Sequence, residues 1–317
     1  MITEDLFLTK GIHPMLIGEE RDPFDSDDYI YELKLDGIRC IAYLDKNGTD
    51  LHNKRNKQLL PCVPELAEIH KHVSCRCILD GELFVLKNGV TDFYEIQRRV
   101  MLTSPFKIRL AAQQYPACFV AYDIIQKEFR NVTKLPLMER KEMLKSVVAE
   151  NNYFGLSRYV ERNGVKFFEL AQERGLEGIV AKKKDSLYWF GKRTKEWIKS
   201  KVYTSGDYVI CGYIQKYNDM TSLVLGQYDG NILKYRGHVT LGVSLRKLNE
   251  HPYLIVDDSP FGYVPEGNGA ATWLEPRLVC IVESMPTDNG NFRQPVLKAI
   301  RDDKSPIECQ ITSEADA

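Results

Sequence analysis

Apolar and polar residues alternate in short runs through most of this chain, and Gly, Asn and Asp separate the runs. A period of two is strand spacing. Tyr29 to Leu33 and Ile38 to Leu44 read as strands because aromatic and β-branched residues are dense in both. Asp36-Gly37 between them predicts a hairpin turn. Cys77 to Leu86 and Ala117 to Ile125 read as more deeply buried strands. Helical periodicity is confined to a few stretches: residues 92–114, Leu137 to Glu150 after Pro136, and Val165 to Arg174 before Gly175.

Beyond Val202 the pattern changes. Tyr208 to Ile214, Ser222 to Tyr228, Asn231 to Tyr235 and Arg277 to Glu283 read as strands, with Leu245 to Glu250 as a short helix. Roughly five strands with one inserted helix are what a small OB-type barrel requires. The boundary falls between 202 and 205, giving domains 1–202 and 203–317, as suits a length of 317 residues. Gly206 is a candidate hinge, and the tail from Ser305 reads as loosely ordered.

A formal net charge of -1 excludes a bulk-basic nucleic-acid binder, so any such surface must come from local clustering. Lys182 to Lys201 supplies it: Lys182, Lys183, Lys184, Lys192, Arg193, Lys195, Lys199 and Lys201 stand against Asp185 and Glu196. Trp197-Ile198-Lys199-Ser200-Lys201 has strand alternation, which puts Lys199 and Lys201 on one face, where they want an anion. The eight cysteines show no zinc spacing and read as reduced thiols of a cytoplasmic protein. No apolar stretch spans a membrane, and the N-terminus reads as carrying no secretory signal.

Lys34, with Asp36 two residues on and Arg39 five on, sits at the end of its strand. A desolvated amine beside other cations loses its proton and becomes a nucleophile. Asp80 and Glu82 lie inside an apolar run, where a carboxylate needs a partner in the fold, a ligand hydroxyl or a metal. Arg55, in the basic run His52 to Lys57, is either a solvated loop residue or a phosphate contact. Phe119 taken alone is more often a core residue than a base platform. Glu177 and Lys182 open and close another strand-like run.

Taken in order, these motifs resemble the ATP-dependent DNA ligases, within the covalent nucleotidyltransferases. The set is Lys34-Leu35-Asp36-Gly37-Ile38-Arg39, Lys54-Arg55-Asn56, Asp80-Gly81-Glu82, Phe119-Val120-Ala121-Tyr122-Asp123, Glu177-Gly178-Ile179-Val180-Ala181-Lys182, Trp197-Ile198-Lys199-Ser200-Lys201 and Arg301-Asp302-Asp303-Lys304. The approach Pro23 to Tyr29 and the ending Phe292-Arg293-Gln294-Pro295 are similar to the ligase module of bacterial end-joining ligases and to small bacterial and phage ligases. The resemblance implies an α+β fold: a nucleotidyltransferase domain of ATP-grasp-like antiparallel sheets with flanking helices, then an OB-fold barrel. It implies ATP and Mg²⁺ (or Mn²⁺) as cofactors, nicked duplex DNA as substrate and a monomer.

The resemblance also assigns roles. Lys34 takes AMP; Lys199 and Lys201 stabilise the α-phosphate and lower the Lys34 pKa; Asp36 belongs to the catalytic motif. Glu177 binds metal, and Glu82 serves the metal and, with Arg39, the ribose. Phe119 stacks on adenine and Glu32 reads its edge. Arg55 contacts phosphate, Lys182 lies in the nucleotide site, and Arg293, Arg301 and Lys304 orient pyrophosphate. About thirty residues precede Lys34, so the DNA-binding domain of larger ligases is expected to be missing, which leaves room for a partner that binds DNA ends or acts in repair. An mRNA-capping guanylyltransferase, an RNA ligase and a non-catalytic DNA-binding scaffold are the alternatives.

Overall fold

The computed structural model describes residues 5–216, 220–285, 292–301 and 303–311. The chain divides into two compact units, Met1–Lys201 and Val202–Ala317. In the first unit the elements are α1 (Leu6–Thr9), β1 (Leu16–Glu20), β2 (Tyr29–Leu33), β3 (Ile38–Asp45), β4 (Gly48–Asn53), β5 (Cys77–Lys87), β6 (Val90–Thr91), α2 (Phe93–Arg99), α3 (Pro105–Gln114), β7 (Ala117–Lys127), β8 (Arg130–Asn131), α4 (Leu137–Val147), β9 (Phe154–Leu156), β10 (Tyr159–Glu161), α5 (Gly164–Glu173), β11 (Gly178–Lys183) and β12 (Arg193–Lys201).

These strands form two sheets. One has the order β1-β12-β11-β2-β10, and the other runs β4-β3-β5-β7-β8 with β6 on β5 and β9 on β7. Pairing is antiparallel except at β1–β12 and β7–β9. The sheets meet through Trp197 of the first and Ile41, Tyr43, Ile78 and Tyr122 of the second. On their other faces, Tyr31, Ile179, Ala181 and Ile198 pack with Phe167 and Phe168 of α5, while Cys40, Ala42, Leu79, Leu83, Phe119 and Ala121 form the largest core with α4 and the 3-10 turns between β4 and β5.

Two readings from the local pattern are corrected. Asp36-Gly37 closes no hairpin: β2 and β3 belong to different sheets, and the turn carries the chain from one to the other. Gly37 permits that passage, because a Cβ there would lie 2.4 Å from the Leu83 carbonyl oxygen. The helical stretch 92–114 is two helices, since Pro105 cannot continue α2 and opens α3 instead.

The second unit contains β13 (Thr204–Gln215), β14 (Thr221–Asp229), β15 (Ile232–Val239), α6 (Leu245–Asn249), β16 (Ile255–Val256), β17 (Thr272–Met285) and β18 (Arg293–Arg301). Its sheet order is β15-β14-β13-β17-β16, with β18 on β17. A parallel bridge from Leu241 to Val296 closes the curl around Ile210, Leu223, Leu225, Val239, Cys280 and Val282. This is the small barrel expected from the strand pattern. Gly206 lies inside β13, paired with Val282, so it is a ladder residue and not a loop hinge; residues 202–203 join the units. Ser305 to Ile311, read as part of a loosely ordered tail, packs on the barrel. Ser305 and Glu308 form a capping box, Cys309 is buried, and Tyr228 of β14 donates its backbone N–H to the Cys309 carbonyl and accepts from that of Ile311. Asp302 and the residues after Ile311 lie outside the described residues.

Candidate active site

Ladder register decides which side chains share a face. Val180 lies opposite Glu32 on one side and Lys199 on the other. Lys182 lies between Ile30 and Trp197, and Gly178 is opposite Lys201. Lys34 N donates to the Gly178 carbonyl at 2.9 Å, which continues that face past the end of β2. Glu32, Lys34, Lys182, Lys199 and Lys201 therefore look into the space between the two sheets, along the side that also buries Trp197.

The second sheet answers with Arg39, Asp80, Glu82 and Tyr122. Arg39 donates twice to Asp80, from Nε at 2.6 Å and from Nη2 at 2.5 Å, and once to the Met15 carbonyl at 3.0 Å. Tyr188 donates to the same carboxylate at 2.6 Å. Asp80 is thus satisfied within the fold, and its work is to hold Arg39 in place. Glu82 has a different environment: burial pushes its carboxyl up to about 8, against the opposing influence of Arg39 and Lys34.

Lys34 Nζ stands 2.7 Å from Glu177 Oε1. Lys199 Nζ lies 2.8 Å and Lys201 Nζ 3.7 Å from the same oxygen of Glu20, at the end of β1. Burial and the neighbouring Lys199 push the Lys201 ammonium down. The two lysines do want an anion, and a carboxylate from the parallel strand β1 fills that place.

Glu32 is held by two ammonium groups. Lys182 donates to Oε2 at 3.0 Å, Ser157 Oγ donates to the same oxygen at 2.8 Å, and Lys141 of α4 pairs with Oε1. Burial would raise this carboxyl, but Lys141 and Lys182 outweigh it and hold it below the ordinary carboxylate range. Burial pulls Lys182 down to about 8 in spite of Glu32, and its Nζ rests 4.2 Å from the Tyr122 ring and 4.3 Å from Trp197.

Phe119 is not in this space. Parity along β7 sends it with Ala121 into the core, where its ring stacks on Phe154 at 5.7 Å and is fully buried. Gly81 makes the seat: a Cβ there would come within 2.6 Å of the Phe119 ring. The aromatic on the cleft side is Tyr122. Arg55 is exposed on the loop after β4, where Asn53 Oδ1 accepts from its backbone N–H, and Asp36 lies in the passage between sheets. In the barrel, Arg301 donates to Asp207 at 3.0 and 3.1 Å, and Lys304 donates to it at 2.6 Å. Those bonds outweigh burial and hold the Asp207 carboxyl down. Arg293 opens β18 on the same unit.

Residues 14–201 match the model of the ATP dependent DNA ligase domain, and residues 216–304 match that of the ATP dependent DNA ligase C terminal region. The chain belongs to the ATP-dependent DNA ligase family. It is 32% identical over 206 residues to the SPbeta prophage-derived DNA ligase-like protein LigB of Bacillus subtilis (strain 168), covering 65% of this ligase chain and 73% of that one. DNA ligase C1 of Mycolicibacterium smegmatis is 28% identical over 330 residues, with 96% and 94% covered. The multifunctional non-homologous end joining protein LigD of the same organism is 27% identical over 312 residues, and there this chain spans 39% of the relative's length. A solved mycobacterial DNA ligase D, complexed with ATP and MES, shares the fold with a TM-score of 0.54 at 24% identity over 94% of this chain and 97% of that one.

Two residues of this charged cleft, Glu20 and Lys141, left little or no local signal in the sequence. Glu20 meets Lys199 only through a parallel pairing across about 180 residues, which leaves no local signal. Lys141 did leave one: it shares the buried stripe of α4 with Leu137, Arg140, Leu144 and Val147. A lysine at an apolar-stripe position needs a buried anion.

Proposed function

We propose that this chain seals 5′-phosphate/3′-hydroxyl nicks in duplex DNA with ATP, through a lysyl-AMP and then a DNA-adenylate, acting as a monomer. The observation that carries the reading is Lys34, set 2.7 Å from Glu177 on the face that also presents Lys199 and Lys201.

In the first step Lys34 Nζ attacks the α-phosphorus of ATP; the N–P bond forms as the bond to pyrophosphate breaks. In-line displacement piles negative charge on the α-phosphate, and fixed cations beside it lower the barrier. Lys199 and Lys201 supply them once the phosphate displaces the Glu20 carboxylate. Glu32 meets the edge of the base, Arg39 reaches the ribose, and Tyr122 replaces Phe119 as the ring beside the nucleotide. Arg293, Arg301 and Lys304 orient the leaving pyrophosphate, and Arg55 takes a phosphate. AMP then passes to the 5′-phosphate of the nick, and the 3′-hydroxyl attacks that phosphorus to release AMP.

The donor set fits a divalent cation. Glu82 is a partly buried carboxyl that desolvation pushes up to about 8, and a nearby double charge is what lets such a group ionise. Glu82 and Glu177 would hold Mg²⁺ or Mn²⁺, which tolerate one or two carboxylates alongside phosphate and water. When bound, the ion would neutralise charge on the phosphate oxygens beside Lys34.

The test is a nicked duplex with a labelled 5′-phosphate, incubated with the protein, ATP and Mg²⁺. A sealed strand is expected. Unchanged DNA with the protein labelled by GTP and not ATP overturns the reading in favour of RNA capping.

A further inference from the structure

We propose that Lys141, on a helix outside the ligase motifs, is a positioning residue for nucleotide choice: it fixes Glu32 as an acceptor-only carboxylate that admits a 6-amino purine and rejects a 6-oxo purine. The inference rests on the reading that Glu32 meets the base edge.

The geometry is specific. Glu32 is only 2% exposed, and Lys141 is 6% exposed. Lys141 reaches Oε1 from α4, while Lys182 of β11 and Ser157 Oγ take Oε2, so both oxygens are gripped from opposite sides. A carboxylate held at both oxygens cannot rotate away from the base edge without breaking an ion pair. α4 is itself fixed by the preceding residue: Arg140 donates to both oxygens of Asp123 at 2.8 Å and is fully buried. Lys141 thus approaches Glu32 from a rigid platform.

The charge balance gives the chemical consequence. Two ammonium groups face one carboxylate inside the protein. Around them stand Tyr159 of β10, whose ring is 5.8 Å from Lys141 Nζ, Tyr122 of β7 against Lys182, and Asp123 within electrostatic reach of Lys182. The excess positive charge keeps Glu32 ionised, in agreement with its lowered carboxyl. An ionised carboxylate has no proton to donate. It accepts from the exocyclic amino group of adenine and repels the carbonyl oxygen of guanine at the same position. A 6-oxo purine sets two acceptors face to face with no hydrogen between them, so it is rejected strongly.

One lysine against Glu32 would be weaker. With Lys141 removed, the carboxyl loses the ammonium on Oε1 and rises toward its ordinary range. It also becomes free to turn. A fraction then carries a proton as pH falls, and a protonated carboxyl can donate to a 6-oxo group.

The experiment measures formation of the protein–nucleotide adduct with ATP and with GTP, as kcat and KM for each, across acidic to neutral pH. Wild type should keep a constant, high ATP preference over the range. In Lys141→Met the preference should fall by on the order of tenfold or more, most at the acidic end. Lys141→Arg, which keeps the charge, should retain it. Thermal melting checks folding. An unchanged ATP/GTP ratio in a folded Lys141→Met overturns the proposal. If Lys141→Met does not fold, NMR titration of the labelled Glu32 carboxyl in the intact wild type decides: a value at or above the ordinary carboxylate range overturns it. Glu32→Gln separates this inference from the reading beneath it. If Glu32→Gln leaves the ratio unchanged, Glu32 does not meet the base; if it collapses the ratio while Lys141→Met does not, only the role of Lys141 falls.

Discussion

Lys34 and its surroundings carry a strict expectation. Lys34 stands against Glu177, while Lys199 and Lys201 are engaged by Glu20 and Lys182 by Glu32. Lys34→Ala should therefore abolish adduct formation with radiolabelled ATP, and labelling at another lysine would displace Lys34 from its role. Lys182 offers a separate readout through pH. Folding lowers its pKa from 10.5 to about 8. Between those values the unfolded chain binds the proton and the folded chain does not, so this group makes stability rise with pH across that window. Lys182→Met should remove that contribution. Melting temperatures of both proteins between pH 8 and pH 10.5 should diverge, with the wild type gaining relative to the variant as pH rises. A constant difference would mean that Lys182 is not desolvated as described.

At the scale of elements, β7 separates two roles that its sequence runs together. Phe119 belongs to the core beneath β5, and Tyr122 to the cleft. Phe119→Ala should cost about 3–5 kcal/mol of stability, as for other buried aromatic rings. The milder Phe119→Leu should lower the melting temperature and leave the KM for ATP unchanged. A raised KM with unchanged stability would restore Phe119 as a base platform. Strand existence along this stretch was legible because Phe119 to Ile125 is apolar and β-branched. The face was not. Alternation alone sets Phe119 and Tyr122 on opposite faces, but which face meets the cleft is decided only when the sheets pack on each other. The turn at Asp36-Gly37 failed for a related reason. A turn signal says that the chain reverses or bends, but not which sheet receives the next strand.

At the scale of the whole molecule, the two units have separate cores, and the ligase motifs are divided between them. Arg293, Arg301 and Lys304 lie on the barrel, while Lys34 lies on the first unit. If the barrel cations orient pyrophosphate, a chain ending at 203 should lose adduct formation with ATP far more than it loses sealing of pre-adenylylated nicks. Equal loss of both would assign the barrel to DNA binding alone. With a net charge of -1, a grip on DNA would have to come from local clusters such as Lys182 to Lys201, and sealing should then fall linearly with salt on logarithmic axes as counterion release weakens it. Salt-independent sealing would mean that the grip does not track phosphates.

Motif identity, element type and the change of character near 202 were written in the amino-acid order, because each depends on a few neighbouring residues: turn chemistry, a period of two, a lysine beside Asp-Gly. The partners of the charged groups were not. Glu20 on Lys199 and Lys201, Lys141 on Glu32, Tyr188 on Asp80 and Asp207 on Arg301 and Lys304 join residues from about 100 to 180 positions apart. A buried charge demands a counter-charge, and the sequence states that demand; which distant strand or helix meets it is decided only when the sheets close.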